Sequence, residues 1–364
     1  MAKYYHYLLL SCLLLLAGCQ SVEYLAIDYM LPADVSFPPS LKRVGVVNNM
    51  PEVPENKPIL AKEKKKDDFE IARKVDYYNG NATIATETLA EALADENYFN
   101  EVIICDSALR TGDITPREAM LSQEEVNRLV DNLDVDFLIA LENVQIHTTR
   151  KIKYMRDWGV YYGTVDAKIY PTVSVYLPNR GTPMVTVNSK DSIFWEEAGN
   201  GPFVQSHLIS EEDVIKQASE FAGTIPVKKL LPYWKTASRY LFCGGSGDMR
   251  DAAVYVREKQ WETAIDLWKQ TYATKKGKKK MQAAYNLAVG YEMLDSITTA
   301  VGWALKAQAE ARIVDGVDKK DLTHLTQADL PNYVLTTLYV TELKEREEGL
   351  ARLNMQMQRF NNDF

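Results

Sequence analysis

The hydrophobic periodicity of this 364-residue chain changes near Pro226, and that change limits what the chain can fold into. Before Pro226, short apolar runs with a period of two alternate with segments whose apolar residues recur as on one face of an α-helix. After it, the pattern is helical throughout. We therefore predict an α+β protein, with a mixed α/β sheet domain over residues 42–222 and an all-α domain over residues 226–364.

The clearest strand signal lies between Thr164 and Leu177, where apolar and polar residues alternate. This alternation predicts a strand with one dry and one wet face, and Met184 to Phe194 is predicted to return as its hairpin partner. Pro171 cannot donate a ladder hydrogen bond, so it predicts an edge position or a bulge. Phe137 to Leu141 is apolar throughout, which is typical of a strand covered on both faces.

Helical periodicity separates these strands. A helix is predicted from Ala82, another after Ser122, which forms a capping-box pattern with Glu125, and a third after the cap at Ser210. The resulting order is strand, helix, strand, helix, three strands, helix, which predicts a single mixed sheet with its helices packed on one face. The first two strands of this order are predicted at Arg43 to Asn48 and at Glu101 to Cys105.

Two segments show no sustained period. Residues 19–41 contain three prolines and are predicted to form a tether. Residues 51–80 contain three further prolines and a run of mixed charge at 62–68, which predicts a polar loop or a short solvated helix.

The element order over about residues 42–222 resembles the small α/β domain of the TolB amino-terminal region and of CsgG-like periplasmic lipoproteins. The resemblance depends on the order of the elements and on the apolar and polar pattern of the strands, and no diagnostic motif supports it. It implies a fold and leaves the function open.

An internal repeat with an offset of 36 residues follows Pro226. Within each copy a tyrosine precedes the key alanine by nine residues, an arrangement that resembles tetratricopeptide repeats. Two repeats cannot bury their faces alone, so Val227 to Phe242 and Asn332 to Phe360 are predicted to pack beside them. The matched pairs are Ala252 and Ala288, Tyr255 and Tyr291, Ala264 and Ala300, Ile265 and Val301, and Trp268 and Ala304.

The resemblance to tetratricopeptide repeats implies a concave surface formed mainly by the first helix of each pair. We predict that these helices expose small, aromatic and charged residues suited to holding an extended peptide by its backbone and charges. The candidate partner-binding residues are Arg250, Glu258, Gln282, Asn286 and Glu292.

The sequence at 16–19 reads Leu-Ala-Gly-Cys and follows a short basic start and an apolar run. That run is shorter than the roughly 20 residues that span a bilayer, but it matches the h-region of a secretory signal. The segment resembles the lipobox of bacterial lipoprotein precursors, which implies that residues 1–18 are a signal peptide and that Cys19 is lipidated. Gln20 follows where an aspartate favours inner-membrane retention, so the envelope location predicted is the outer membrane, with its face left open.

The whole arrangement also resembles a lipoprotein family of Bacteroidota that has repeats of this kind near the carboxyl end. That resemblance implies a class of protein without an activity. The residues that carry it are Leu231, Pro232, Trp234, Arg239, Trp261, Trp268 and Asn286-Leu287-Ala288.

Chemical motifs are sparse. The net charge of −8 argues against nucleic acid as a partner. The sequence contains no H-E-x-x-H motif, no phosphate-binding loop and no dinucleotide glycine pattern, so no catalytic, cofactor or metal residue is predicted. Cys105 and Cys243 lie in apolar runs and are predicted to be buried, and a bond between them is left open.

Three functions are compatible with these features. The preferred one is a lipid-anchored scaffold or assembly adaptor, not an enzyme, that binds a protein or peptide through its helical repeats. The second is a hydrolase of envelope polymer, which requires acidic side chains to meet in a cleft. The third is a secretion-pore subunit of the CsgG type, in which hairpins such as Thr164 to Phe194 would line the pore.

Overall fold

A computed structural model describes residues 22–51, 70–110, 120–320 and 326–361. The predicted lipobox at 16–19 and the charged run at 62–68 lie outside the described residues. The chain divides into two compact units. The sheet unit contains the described residues of 32–233 and 355–361, and the helical unit contains those of 22–31 and 234–354.

Strands and helices are mixed before residue 243, and the described elements after it are all helical. In chain order they are β1 (Val22–Leu31), β2 (Arg43–Asn48), β3 (Glu70–Asn79), α1 (Ala82–Asp95), β4 (Glu101–Ala108), α2 (Gln123–Leu133), β5 (Phe137–Met155), β6 (Val160–Tyr176), β7 (Val185–Asn188), β8 (Asp191–Gly199), α3 (Gly201–His207), α4 (Glu211–Thr224), α5 (Val227–Leu230), β9 (Tyr233–Phe242), α6 (Gly247–Arg257), α7 (Trp261–Thr274), α8 (Lys278–Met293), α9 (Ile297–Val314) and α10 (Pro331–Asn361), with 3₁₀ turns at Val317–Lys319 and Gln327–Asp329.

The sheet unit is built on a seven-stranded mixed sheet in the order β4-β2-β5-β6-β7, with β3 also paired to β5 and β8 also paired to β6. The strands β4, β2 and the start of β5 are parallel, and the remaining pairs are antiparallel. A mixed sheet region followed by a helical region is the α+β arrangement predicted from the sequence, which is thus confirmed at this level.

Helices cover both faces of this sheet, which corrects the prediction that they pack on one face. Phe137, Ile139 and Leu141 point into a core shared with α1 and α4. Leu138 and Ala140 point to the opposite face, where α2 covers them. Since side chains alternate along a strand, the apolar run that opens β5 has two dry faces, and each face requires its own helical cover.

The structure confirms most of the predicted alternation in β6 and corrects its end. Val165, Ala167 and Ile169 are buried as predicted, whereas Tyr176 on the predicted wet face is also buried, because it lies in the core under α2. Pro171 lies opposite Val144, next to a bulge in β5, so the predicted bulge is present on the partner strand.

The predicted helix starts are confirmed by their capping hydrogen bonds. Ser122 accepts from the backbone N–H of Glu125, whose carboxylate accepts in return from the N–H of Ser122. Ser210 accepts from the N–H of Asp213 at the start of α4. Each satisfies a donor that the first turn of a helix leaves unpaired.

Three strands lie where the sequence predicted other structure. Strand β1 replaces part of the tether predicted over 19–41, and β3 replaces the last third of the polar loop predicted over 51–80. Strand β9 lies in a segment predicted to be helical. Buried and exposed residues alternate along most of β9, as in other strands. One of the buried residues is Arg239, so the hydrophobicity of the sequence does not show this alternation.

The boundaries of the two units also differ from the predicted domain ends. Val35 and Phe37, placed in the predicted tether, belong to the core of the sheet unit. The last turns of α10, predicted to belong to the helical domain, lie in the sheet unit. There the side chain of Gln356 donates to the carbonyl of Val35 at 2.8 Å and accepts from the N–H of Ala33 at 3.0 Å.

The helical unit contains two helical hairpins, α6 with α7 and α8 with α9, followed by α10. The alanines matched at the 36-residue offset are fully buried, as close helix packing requires, and Trp268 is buried beside them. Tyr255 and Tyr291 are half-buried against the same core. Both Cys105 and Cys243 are free, and Cys105 is only half-buried. The matched alanines are Ala252, Ala264, Ala288, Ala300 and Ala304.

Candidate binding site in the helical unit

The structure separates the five predicted partner-binding residues into two groups. Arg250 and Glu258 are exposed and Gln282 is half-buried, as a binding surface allows. Asn286 and Glu292 are buried, with exposed fractions of 0% and 2%, so the prediction that they face solvent is wrong. The cause is β9, which packs against these helices in the core of the helical unit.

The buried amide of Asn286 holds β9 by its backbone. Its Nδ2 donates to the carbonyl of Phe242 at 2.8 Å, and its Oδ1 accepts from the N–H of Phe242 at 2.9 Å. A side-chain amide that pairs with both groups of one residue reproduces the contact that a neighbouring strand would make. Asn286 was predicted to bind the backbone of a partner peptide, but in the structure it binds the backbone of a strand of the same chain.

A buried ion pair fastens the middle of β9. Arg239 donates to both carboxylate oxygens of Glu292, at 2.8 and 2.9 Å, and the hydroxyl of Tyr339 donates to the same carboxylate at 2.7 Å. Arg346 contributes a longer bond of 3.4 Å and pairs with Asp295 at the edge of the unit. The fork of a guanidinium matches a carboxylate in two parallel bonds, which makes this geometry stronger than a single contact.

A second carboxylate extends the network toward β1. Glu342 accepts from Arg239 at 2.7 Å, from Lys235 at 2.8 Å and from the hydroxyl of Tyr29 at 2.7 Å. Burial acts to raise the pKa of Glu342, but these donors outweigh burial and lower its pKa to about 2. Burial also opposes the charge of Arg239, and the carboxylate of Glu292 outweighs it, so the pKa of Arg239 is raised.

The positive and negative charges of this network are equal in number, and each group pairs with another member of the network. It joins three cations to three carboxylates, so no charge is left over for a substrate. We infer a structural role: it fixes β1 and β9 on the helices. This network was not predicted from the sequence, because Arg239 was expected in a helix and Glu292 on an exposed surface. The six charged members are Lys235, Arg239, Arg346, Glu292, Asp295 and Glu342.

An open cleft of about 530 Å³ lies beside this network. Five consecutive residues of β1, 26–30, form one side, and residues of α8 and α10 form the other. Trp234 lines it with 66% of its surface exposed. The remaining lining residues combine apolar side chains with a polar margin: Glu292, Met293, Asp295, Arg346, Leu350, Leu353 and Asn354.

The backbone of β1 offers an open edge in this cleft. Strands β1 and β9 form a two-stranded sheet, so among the described residues β1 has a strand partner on one edge only. Tyr24 contacts Tyr240, and Asp28 accepts from Thr236, which shows that the two strands run antiparallel. An edge strand presents backbone N–H and C=O groups that can pair with another chain.

Comparison with known families covers both parts of the chain. Residues 41–242 match the family model described as Domain of unknown function (DUF8603), a match over more than half of the chain. The chain belongs to the DUF8603 family. Residues 250–345 match a second model, described as Domain of unknown function (DUF6340). Searches of the curated proteins and of the solved structures found no match.

The DUF8603 region includes β9, while the DUF6340 match covers the two helical hairpins and the start of α10. The bonds from Asn286 to Phe242 and from Glu292 to Arg239 therefore join the two matched regions within the helical unit. The last strand of the DUF8603 region, β9, is thus held in place by side chains of the DUF6340 region.

A second polar cluster of the DUF8603 region lies at the carboxyl ends of parallel strands in the sheet unit. Glu142 accepts from Asn49 at 2.6 Å and from the hydroxyl of Tyr176 at 2.8 Å, and Arg110 connects Asn49 to Glu125. Burial raises the pKa of Glu142 despite these donors. Such edges often bind ligands in α/β folds. Here each carboxylate already has protein partners, so the geometry favours a structural role.

Among residues 22–51, 70–110, 120–320 and 326–361, no group of three or more His, Cys, Asp and Glu side chains is placed to hold a metal ion. No helix in those same ranges is both long and apolar enough to cross a bilayer.

Proposed function

We propose that this protein is a lipid-anchored lipoprotein of the outer membrane that acts as a scaffold, and that it binds a protein partner in the cleft of the helical unit. The observation that carries the proposal is the open edge of β1 along a cleft that also exposes Trp234. The two helical hairpins, which resemble tetratricopeptide repeats, would supply the support for this edge.

The partner is expected to bind as an extended segment that adds a strand to β1. In this mode the main-chain hydrogen bonds supply affinity, and pockets for alternate side chains supply specificity. Leu350 and Leu353 offer apolar contacts on one side of the cleft, and Arg346 and Asp295 lie at its polar margin. An exposed tryptophan is the type of residue that dominates binding energy at protein interfaces.

The proposed anchor lies close to β1 in the sequence. Only two residues separate Cys19 from Val22, the first residue of β1. Three residue steps of extended chain reach about 10 Å. A lipid on Cys19 would therefore hold the start of β1 near the membrane surface, where an envelope partner would meet it. Two or three acyl chains make such an anchor stable.

The anchor is tested by Cys19→Ala, which removes the proposed acceptor thiol. Cells fed an alkyne-labelled fatty acid are expected to label the wild-type protein and to leave the variant unlabelled. Cys12→Ala, in the proposed signal peptide, is the matched control and should retain the label. Labelling of Cys19→Ala at the wild-type level would place any lipid elsewhere.

The cleft is tested by photo-crosslinking in intact cells. A benzophenone amino acid replaces Trp234 in one strain and Ile313, which is 72% exposed on α9 and outside the cleft, in another. We expect a discrete protein adduct from position 234 only. In the strain with the crosslinker at 234, Leu353→Glu should abolish the adduct, whereas Leu338→Glu, exposed on the same helix outside the cleft, should not.

The same adduct from both positions, or its persistence with Leu353→Glu, would show that the cleft does not bind the partner. The alternatives predicted from sequence have weaker support. The hairpin from Thr164 to Phe194 packs its apolar side on α3 and α4, and the carboxylate of Glu142 is occupied by its own neighbours. Neither feature favours a pore or a hydrolase.

A further inference from the structure

The sheet unit carries an open face that the proposed function does not use. Strands β3, β5, β6 and β8 form an antiparallel region in which one face packs on α3 and α4. The side chains of the other face alternate with the buried ones and are half-buried or exposed. We call this second surface the open face.

The strand register places the residues of the open face in rows across the sheet. One row contains Tyr77, His147, Lys168 and Ser192, and the next contains Val75, Thr149, Asp166 and Phe194. A third contains Arg73, Lys151, Thr164 and Glu196. Lys153 and Tyr162 pair beyond the third row, and Gln145 and Tyr170 pair beyond the first.

Positive charge dominates this surface. Four of its side chains are basic, at 73, 151, 153 and 168, and two are acidic, at 166 and 196, in a chain whose net charge is −8. Glu196 accepts a hydrogen bond from Tyr162. Lys151 and Lys168 have no ion-pair partner in the described part of the chain. Two cations are thus free to meet an anion on a locally positive surface.

Aromatic rings lie between these charges. The ring of His147 lies 4.4 Å from that of Tyr77 and 4.8 Å from that of Tyr170, so three rings are in contact across three strands. Phe194 stands apart on β8 with 65% of its surface exposed. Burial, and then the charge of Lys168, lower the pKa of His147, which favours the neutral form of this ring. Aromatic faces carry partial negative charge and attract C–H groups.

We propose that the open face binds an anionic polysaccharide. The lysines would pair with carboxylates along the polymer, and the rings would contact the C–H faces of its sugars. Lys151 and Lys153 lie about 7 Å apart along β5, and four strands make a surface on the order of 15 Å wide, which accommodates several sugar units. Charge complementarity argues for a polyanion, and the overall acidic charge argues against a nucleic acid.

The test measures binding of the purified chain from residue 22 onward to alginate, a polyuronate, with neutral dextran as the comparison. We expect binding to alginate that weakens as salt rises from 50 to 300 mM, since salt screens exposed charges, and no binding to dextran. Lys151→Glu with Lys168→Glu should lower the affinity at least tenfold. Phe194→Ala should lower it severalfold and leave the salt dependence unchanged.

A matched control carries the same change of net charge on the helical side of the sheet unit: Lys216→Glu with Lys228→Glu, both exposed residues of α4 and α5. This double variant should bind alginate as the wild type does, with an unchanged melting temperature in both doubles. Equal loss in the two doubles, absence of binding to alginate, or tighter binding to a single-stranded oligonucleotide of equal charge would overturn the proposal. None of these results depends on the cleft of the helical unit.

Discussion

Glu292→Gln is expected to lower the free energy of unfolding of the helical unit by about 3–5 kcal/mol. The carboxylate of Glu292 is buried and accepts from Arg239, Arg346 and Tyr339. The substitution keeps the shape of the side chain but removes its charge, so a guanidinium with only 4% exposure loses its bidentate partner. Urea unfolding monitored by tryptophan fluorescence measures the loss, since Trp234, Trp261, Trp268 and Trp303 belong to this unit.

Two comparisons separate the cost of an unpaired charge from other effects. Glu258→Gln, at an exposed position of the same unit, should change the free energy of unfolding by less than about 0.5 kcal/mol. Replacement of the three buried members together, Glu292→Leu with Arg239→Met and Arg346→Leu, should be less destabilising than Glu292→Gln alone. No buried charge is then left without a partner, because Glu342 keeps Lys235. A small loss for Glu292→Gln would show that Arg239 is well solvated.

Asn286→Ala is expected to lower the free energy of unfolding by about 2–4 kcal/mol. The substitution removes two buried hydrogen bonds and leaves the N–H and C=O of Phe242 without their partner. Each unsatisfied backbone group costs about 1–3 kcal/mol when it is shielded from water. The same urea experiment measures the effect. Gln282→Ala, one turn earlier on α8 and only half-buried, is the control and should change little.

Asn286→Asp gives an independent check on the geometry. It retains an oxygen that can accept from the N–H of Phe242, but it loses the donor to the carbonyl and adds a buried charge. We therefore expect it to be at least as destabilising as Asn286→Ala. If Asn286→Ala unfolds at the wild-type urea concentration, the amide does not hold β9 in solution.

Local signals in the sequence predicted much of the fold. The capping box at Ser122, the apolar run that opens β5 and the alternation in β6 depend only on residues close to them in the sequence. These local predictions therefore agree with the structure over most of their length. The burial of Tyr176 did not follow from its strand, because it depends on where α2 packs. The matched alanines of the repeat predicted buried helix contacts correctly, since only small residues allow such close approach.

The strands β1 and β9 were missed for a physical reason. Each makes a sheet only with a segment about 210 residues away in the chain, and neither repeats a simple apolar pattern. Arg239 occupies a buried position that is acceptable only because Glu292 and Glu342 are there to meet it. A local sequence pattern does not show which distant residues will pair with a strand or neutralise a buried charge. For this reason β1 was predicted as a tether and β9 as a helix.

The cleft was not predicted from the sequence, and of the five predicted partner-binding residues only Glu292 lines it. The positions chosen on α8 do hold an extended segment by its backbone and charges, as Asn286 and Glu292 show. The sequence did not identify that segment as β9, and therefore did not predict that these residues are buried. The open edge of β1 could not be predicted without its strand, so the cleft was found only from the structure.

The central claim is that β9 is a fixed part of the helical unit, so that the face it covers is closed to a partner and the cleft beside β1 is the open site. Hydrogen–deuterium exchange on β9 tests this claim most directly. The N–H of Phe242 donates to Asn286, so we predict that peptides covering 237–242 exchange as slowly as those covering the buried core of α8. Fast exchange of 237–242 while α8 stays protected would contradict the account, because the face that β9 covers would then be open to an outside peptide.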